Sequence, residues 1–239
     1  MNVLITGGSS GLGEAITRKF AKEGHSVYFT YNQSESNAKK IEADHKNAFA
    51  IKCNFKSLDE VEALKTKIAT IELDLLINNA YSGSFMKSHF YKISTDDFLT
   101  EFQDNVIPTI SITQAAIGYF RKKKGGKIIT ILTSALVNTP PAGSSIYVGN
   151  KAYLKQLSKV WASENIRYNI TSNTVSPSFM LTNFTNDIDE RVIEQIKDSN
   201  PSKKILTTEE VAEAVLFLSS ASVQINGIDM IINSGTNII

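Results

Sequence analysis

Seven short runs rich in β-branched and apolar residues recur along this chain, and a stretch of helical character follows each of the first six. The runs are Asn2–Thr6, Ser26–Tyr31, Ala48–Cys53, Leu73–Ile77, Lys127–Thr133, Thr171–Val175 and Gly227–Ile232. Most are continuously apolar, as strands covered on both faces are. The helical stretches are Gly11–Glu23, Ser36–His45, Leu58–Thr70, Thr95–Arg121, Tyr147–Asn165 and Thr208–Leu218. Thr207-Thr208-Glu209-Glu210 supplies a cap and first-turn acids for the last of them. This alternation specifies an α/β fold, a doubly wound parallel sheet with helices on both faces. No linker or repeat divides the chain, so a single domain over residues 1–239 is expected.

One segment breaks the rhythm. Residues 178–204 are long and mixed, with Phe179, Met180 and Phe184 near the start and acids over Asp187–Glu190. Insertions past a strand's carboxyl end face the ligand edge of an open α/β sheet, so a substrate lid is expected here.

The chain carries 25 Lys and Arg against 24 Asp and Glu, a net charge of +1. No global field draws it to nucleic acid or to an anionic membrane. A single cysteine, Cys53, excludes an intrachain disulfide and points to a reducing compartment. The opening Val3-Leu4-Ile5 lacks the basic region of a signal peptide, and no apolar run reaches membrane-spanning length. A soluble, cytoplasmic protein is expected. His25, His45 and His89 have no ligand spacing among themselves or with Cys53, so no metal is expected.

Two local patterns carry chemistry. Thr6-Gly7-Gly8-Ser9-Ser10-Gly11-Leu12-Gly13 joins the first strand to the first helix. Glycines permit the tight turn and let backbone approach a pyrophosphate at the helix N-terminus. A glycine turn without a ligand is the alternative. Tyr147-Val148-Gly149-Asn150-Lys151 puts a phenol and an ammonium one turn apart on one helix face. A fixed cation would lower the phenol's pKa toward neutrality and suit it to acid–base work. Tyr and Lys four apart also occur as a solvated surface pair.

In order and spacing, these patterns resemble the short-chain dehydrogenase/reductase family. The turn reads Gly-x-x-x-Gly-x-Gly; Ser134 lies thirteen residues before Tyr147; Asn105 sits in Asp104-Asn105-Val106 of the helix after the fourth strand. The resemblance implies a Rossmann-type sheet of about seven strands and a catalytic tetrad of Asn105, Ser134, Tyr147 and Lys151. In it Ser134 orients a carbonyl oxygen, Tyr147 protonates it, Lys151 holds the cofactor ribose and tunes Tyr147, and Asn105 supports a water beside the lysine. It implies cofactor contacts from Gly7, Ser9, Ser10, Gly11, Leu12, Gly13, Tyr31, Asn32, Asn54, Phe55, Asn79, Ala80, Tyr147, Lys151, Pro177, Met180 and Thr182. Family members carry Asn-Asn-Ala-Gly after the fourth strand, where this chain has Asn78-Asn79-Ala80-Tyr81. Ser176-Pro177-Ser178 likewise lacks a usual glycine, and Asn54 stands for the usual aspartate.

Tyr31-Asn32-Gln33-Ser34 follows the second strand without the acid that NAD-preferring members use on the ribose. NADP(H) is therefore the expected cofactor, with NAD(H) open, although Ser10 stands where NADP-preferring relatives often have arginine. Among subgroups the pattern is most similar to the 3-oxoacyl-carrier-protein reductases, which implies a 3-oxoacyl thioester substrate. There Lys124 and Arg167 would receive an acidic carrier protein; a solvated helix end, Arg121–Lys124 with Lys127, is the plainer reading. Another small ketone or a keto-sugar is the rival substrate, and a non-catalytic dinucleotide sensor the rival class. Members are commonly homotetramers packed through the helices here at Thr95–Arg121 and Tyr147–Asn165.

Overall fold

The computed structural model describes residues 1–86, 88–185 and 188–236. Seven parallel strands form one sheet: β1 (Asn2–Ile5), β2 (Ser26–Tyr31), β3 (Ala48–Lys52), β4 (Leu75–Asn78), β5 (Gly126–Ile131), β6 (Ile170–Pro177) and β7 (Asp229–Ile232). Their order is β3-β2-β1-β4-β5-β6-β7. The chain winds outward in both directions from β1 and β4, so a crevice opens between them at the carboxyl edge. This is the doubly wound α/β fold that the alternation of runs predicts.

The helices are α1 (Gly11–Lys22), α2 (Glu35–Asp44), α3 (Leu58–Thr70), α4 (Thr95–Lys123), α5 (Ser145–Asn165), α6 (Glu190–Ser199) and α7 (Thr208–Ser220). One face of the sheet is packed by Leu12, Ile16 and Phe20 of α1, Ile41 of α2 and Val211, Val215 and Leu218 of α7. The other is packed by Leu64 and Ile68 of α3, Val106, Ile112 and Phe120 of α4, and Leu154 and Trp161 of α5. Thr207 caps α7 in a reciprocal capping box with Glu210, as its sequence predicts.

Two expectations are corrected. α6 was not foreseen inside the 178–204 segment; Asp189 caps it, and its apolar Val192, Ile193 and Ile196 recur at helical spacing. Of the acidic run, Asp187 lies outside the described residues. β5 stops at Ile131 rather than Thr133, because Thr133 turns away to cap a short 3-10 turn, Ser134–Leu136, accepting the Ala135 amide on its side chain. Ser134 therefore starts a turn three residues past the end of β5.

An ion pair anchors α5 to the far edge of the sheet. Lys155 Nζ lies 2.6 Å from Asp229 Oδ2, while Asp229 Oδ1 accepts from Thr174 (2.9 Å) and Ser176 (2.7 Å). Removing one partner of a largely buried pair strands the other charge. Asp229→Asn is expected to cost about 2 kcal/mol, lowering the melting midpoint by roughly 4–8 °C. An unchanged midpoint by circular dichroism would show that water satisfies Lys155 in its place.

Candidate active site

A cleft of about 760 Å³ runs along the carboxyl edge, walled by the loops after β1 to β6. Such a volume suits a dinucleotide-sized ligand. Among the described residues its walls include Lys56, Lys151 and Lys204 and no carboxylate, so the cleft favours an anion.

The floor of one end is the turn after β1. Gly7 and Gly11 have φ of +66° and +52°, which side chains tolerate poorly. Gly13 is packed so closely that a Cβ there would lie 2.0 Å from the Gly7 carbonyl oxygen. The Ser10 backbone caps α1, but its side chain makes no capping hydrogen bond, leaving first-turn N–H groups for a ligand. Free donors, the positive end of a helix and an acid-free wall fit the pyrophosphate of a nicotinamide dinucleotide.

All the residues expected to touch the cofactor line this one cleft. Ser9, Ser10, Gly11 and Leu12 lie at the turn, Tyr31 and Asn32 after β2, Asn54 and Phe55 after β3, and Pro177, Met180 and Thr182 after β6. Asn79 braces the turn by donating to the Thr6 (3.0 Å) and Gly7 (3.2 Å) carbonyls, and the Ala80 amide donates to Thr6 Oγ1 (3.0 Å). Asn54, which stands for the usual aspartate, already accepts the Lys56 amide on its Oδ1 at 3.0 Å.

At the other end α5 presents Tyr147 and Lys151. Lys151 is buried; its Nζ donates to the Ile131 carbonyl (2.8 Å) and lies 5.2 Å from the Tyr81 ring centre and 5.8 Å from that of Tyr147. Burial lowers its pKa to about 8. Burial also raises Tyr147 to about 12, against a hydrogen bond with the Thr133 side chain that lowers it. The expected downward pull of the lysine on the phenol is thus overturned. Desolvation outweighs it, and the ammonium is spent on a carbonyl and two ring faces.

Ser134 and Thr133 both line the cleft near this end and both are buried. Thr133, which holds the Tyr147 hydroxyl, was missed: a β-branched residue at the end of an apolar run reads only as strand. Phe85 was missed too. Its ring centre is 5.2 Å from that of Tyr147, and Phe184 from the 178–204 segment packs beside both, 5.8 Å from Tyr147 and 6.4 Å from Phe85. Phe85 sits in a loop without periodicity, and nothing in the sequence marks it.

Asn105 is buried but does not wall the cleft. Its side chain accepts from the Ser82 amide (2.6 Å) and donates to the Glu101 carbonyl (2.9 Å), pinning the loop after β4 to α4.

Lys124 and Arg167 are exposed, just ahead of β5 and β6. They therefore sit at the amino edge of the sheet, opposite the cleft. Arg121 donates to Asn165, and Lys127 donates to the carbonyls of Ser219 and Ala221, so part of the basic run is structural. Among the described residues no metal-ligating cluster forms, and no helix is long and apolar enough to cross a membrane.

The family described as enoyl-(acyl carrier protein) reductase matches residues 7–237. The chain is similar to the 3-oxoacyl-[acyl-carrier-protein] reductase of Buchnera aphidicola subsp. Acyrthosiphon pisum, 31% identical over 238 residues, covering 97% of this chain and 95% of that one. With the protein of that name from Staphylococcus aureus it shares 28% over 241 residues, 98% and 97% of the two chains. A solved short chain dehydrogenase/reductase family protein superposes with a TM-score of 0.85 at 28% identity, covering 98% of this chain and 96% of its own. With a glycine turn, an anion-favouring cleft and a Tyr-Lys pair on one continuous edge, the chain belongs to the short-chain dehydrogenase/reductase family of NAD(P)-dependent oxidoreductases.

Proposed function

We propose that the chain is an NADPH-dependent ketone reductase, with Tyr147 as general acid and a 3-oxoacyl thioester as its substrate. The carrying observation is the placement of Tyr147 and Lys151 in the same acid-free cleft that starts at the open N-terminus of α1. The substrate class is supported by the names of the relatives and by α6, whose Val192 and Ile196 wall the cleft without being buried. Unburied apolar side chains facing a cleft suit an acyl chain.

When bound, the cofactor supplies the hydride of the reduction. Ser134, assisted by Thr133, orients the carbonyl oxygen toward Tyr147. The Tyr147 phenol is protonated at neutral pH, since burial holds its pKa near 12, and this is the form a general acid needs. Its proton passes to the developing alkoxide, a far stronger base than phenolate. Lys151 holds the ribose hydroxyls and stabilises the phenolate left behind. Asn105 supports this end indirectly through the loop it pins. Residues 178–204 serve as the lid, of which 186–187 lie outside the described residues.

For NADPH, the support is Asn32 and Ser34 in place of an acid, beside Ser10 with its free side chain. Asn32→Asp should reduce kcat/KM with NADPH by about tenfold and spare NADH, through repulsion of the 2′-phosphate. Equal losses with both cofactors, followed by nicotinamide absorbance, would remove Asn32 from cofactor choice.

We place the enzyme in the cytoplasm as a homotetramer packed through α4 and α5, where Leu99, Ile107, Tyr153 and Val160 are exposed. A carrier protein on Lys124 and Arg167 would then serve a neighbouring subunit's cleft, because its own opens at the other edge. Asn138 favours the second reading, a small polar ketone or keto-sugar: its Oδ1 is buried and unpartnered, in a residue that lines the cleft. An acetoacetyl thioester tested against diketones and keto-sugars decides. Thioester turnover with NADPH supports the first reading; turnover confined to the polar ketones supports the second.

A further inference from the structure

Where relatives of this family pattern have glycine after Asn-Asn-Ala, this chain has Tyr81, and the ring is built into the reaction centre. Its centre lies 5.0 Å from that of Tyr147, edge-on at 81°, and 5.9 Å from that of Phe184. Lys151 Nζ lies 5.2 Å from the same ring centre. The phenol end is anchored away from the cleft: Tyr81 Oη donates to Glu101 Oε2 at 3.5 Å and accepts from Asn150 Nδ2 at 3.4 Å. Glu101 and Asn150 are both buried, on α4 and α5. The glycine of this loop stands two residues later. Gly83 has φ +111°, and a Cβ there would meet the Glu101 carboxylate at 2.5 Å. Gly83 thus lets the loop lie against Glu101, while Ser82 is held by Asn105.

We propose that Tyr81 is a positioning residue of this reductase, its ring face fixing the Lys151 ammonium and its T-shaped contact fixing Tyr147. The inference rests on the proposed roles of Tyr147 and Lys151. A desolvated ammonium without a carboxylate partner gains from an aromatic face, and here two rings and one carbonyl supply its surroundings. The titratable groups around it are Tyr147 on its own helix, Tyr81 from the loop after β4 and, behind Tyr81, Glu101 of α4. The ring also keeps water from Lys151, so its removal should let the ammonium rehydrate and hold its proton to higher pH.

Tyr81→Phe, Tyr81→Leu and Tyr81→Gly test this in the full-length enzyme. Leucine retains bulk without a π face and guards against a folding defect; glycine restores the family residue. The expected result is kcat within about threefold of wild type for Tyr81→Phe, and a loss of about tenfold or more for the other two. NADPH affinity, set mainly at the phosphate turn, should change far less than kcat in all three. The alkaline limb of the kcat–pH profile should move upward in Tyr81→Leu and Tyr81→Gly and stay in place in Tyr81→Phe. Wild-type kcat and limb in Tyr81→Leu would overturn the proposal, as would equal damage from phenylalanine and leucine. Tyr147→Phe, run alongside, separates the two readings: if it still turns over, the proposed roles of Tyr147 and Lys151 have failed rather than the role of Tyr81.

Discussion

Tyr147→Phe is expected to lower kcat by about 10³-fold while leaving NADPH affinity within a factor of about two. The substitution deletes one oxygen. The ring contacts with Tyr81, Phe85 and Phe184 need only the ring and persist. The lost oxygen is the one paired with Thr133 and proposed to protonate the alkoxide. Because Tyr147 is protonated well above neutral pH, wild-type turnover should not fall at its own titration within the usual assay range. An alkaline fall near pH 8 should instead follow Lys151, whose burial-lowered pKa makes it cationic below about 8 and neutral above. Single-turnover reduction with a competent ketone measures the loss directly. Full activity in the variant would leave a dinucleotide-binding protein in which Tyr147 has no chemical role.

The second large effect is expected at the phosphate turn. Gly13→Ala should weaken NADPH binding by about 100-fold or more, because its Cβ would lie 2.0 Å from the Gly7 carbonyl oxygen and 2.6 Å from Asn79 Nδ2. Neither atom can yield cheaply. Gly7 O is backbone of the turn itself, and Asn79 Nδ2 is the group that braces it. The φ of Gly13 is not in the left-handed region, so crowding and not backbone strain is at stake. Gly118→Ala is the control. No atom lies within 4 Å of its added Cβ, and it sits inside α4, where alanine should stabilise by about 0.5–1 kcal/mol. Cofactor titration by fluorescence, with melting midpoints for both variants, reads the contrast. Normal NADPH binding in Gly13→Ala would show that the turn can open without cost.

Much of this molecule was legible in the residue order because the signals are local. Val3-Leu4-Ile5 running into Gly7 needs only neighbours to read as strand and turn, and Tyr147 with Lys151 needs only a helical period. The loops that wall the cleft were legible for a related reason. In a doubly wound sheet every ligand loop follows a strand's carboxyl end, so locating strands locates loops. Local signals failed where a feature depends on what packs against it. α6 hid in a mixed segment because ten residues with three apolar positions read equally well as loop. β5 ended early because Thr133 found a partner in the following turn, which no propensity announces.

The same division runs through the active site. The candidates for chemistry followed from residue order, Tyr147 and Lys151 by type and spacing and Ser134 by the family resemblance. Their protonation did not. Sequence alone puts an ammonium one turn from a phenol and implies a lowered phenol pKa. The fold buries both and turns the ammonium to Ile131 O and the Tyr81 ring, so the phenol rises and the ammonium falls. Nor did spacing reveal that Phe85 and Phe184, 99 positions apart, would meet over Tyr147. Residue order determined the elements and the candidate reactive groups, because these depend on periodicity and chemical type. Tertiary structure alone decided solvation and neighbours, because these depend on which distant segments exclude water from the same few atoms.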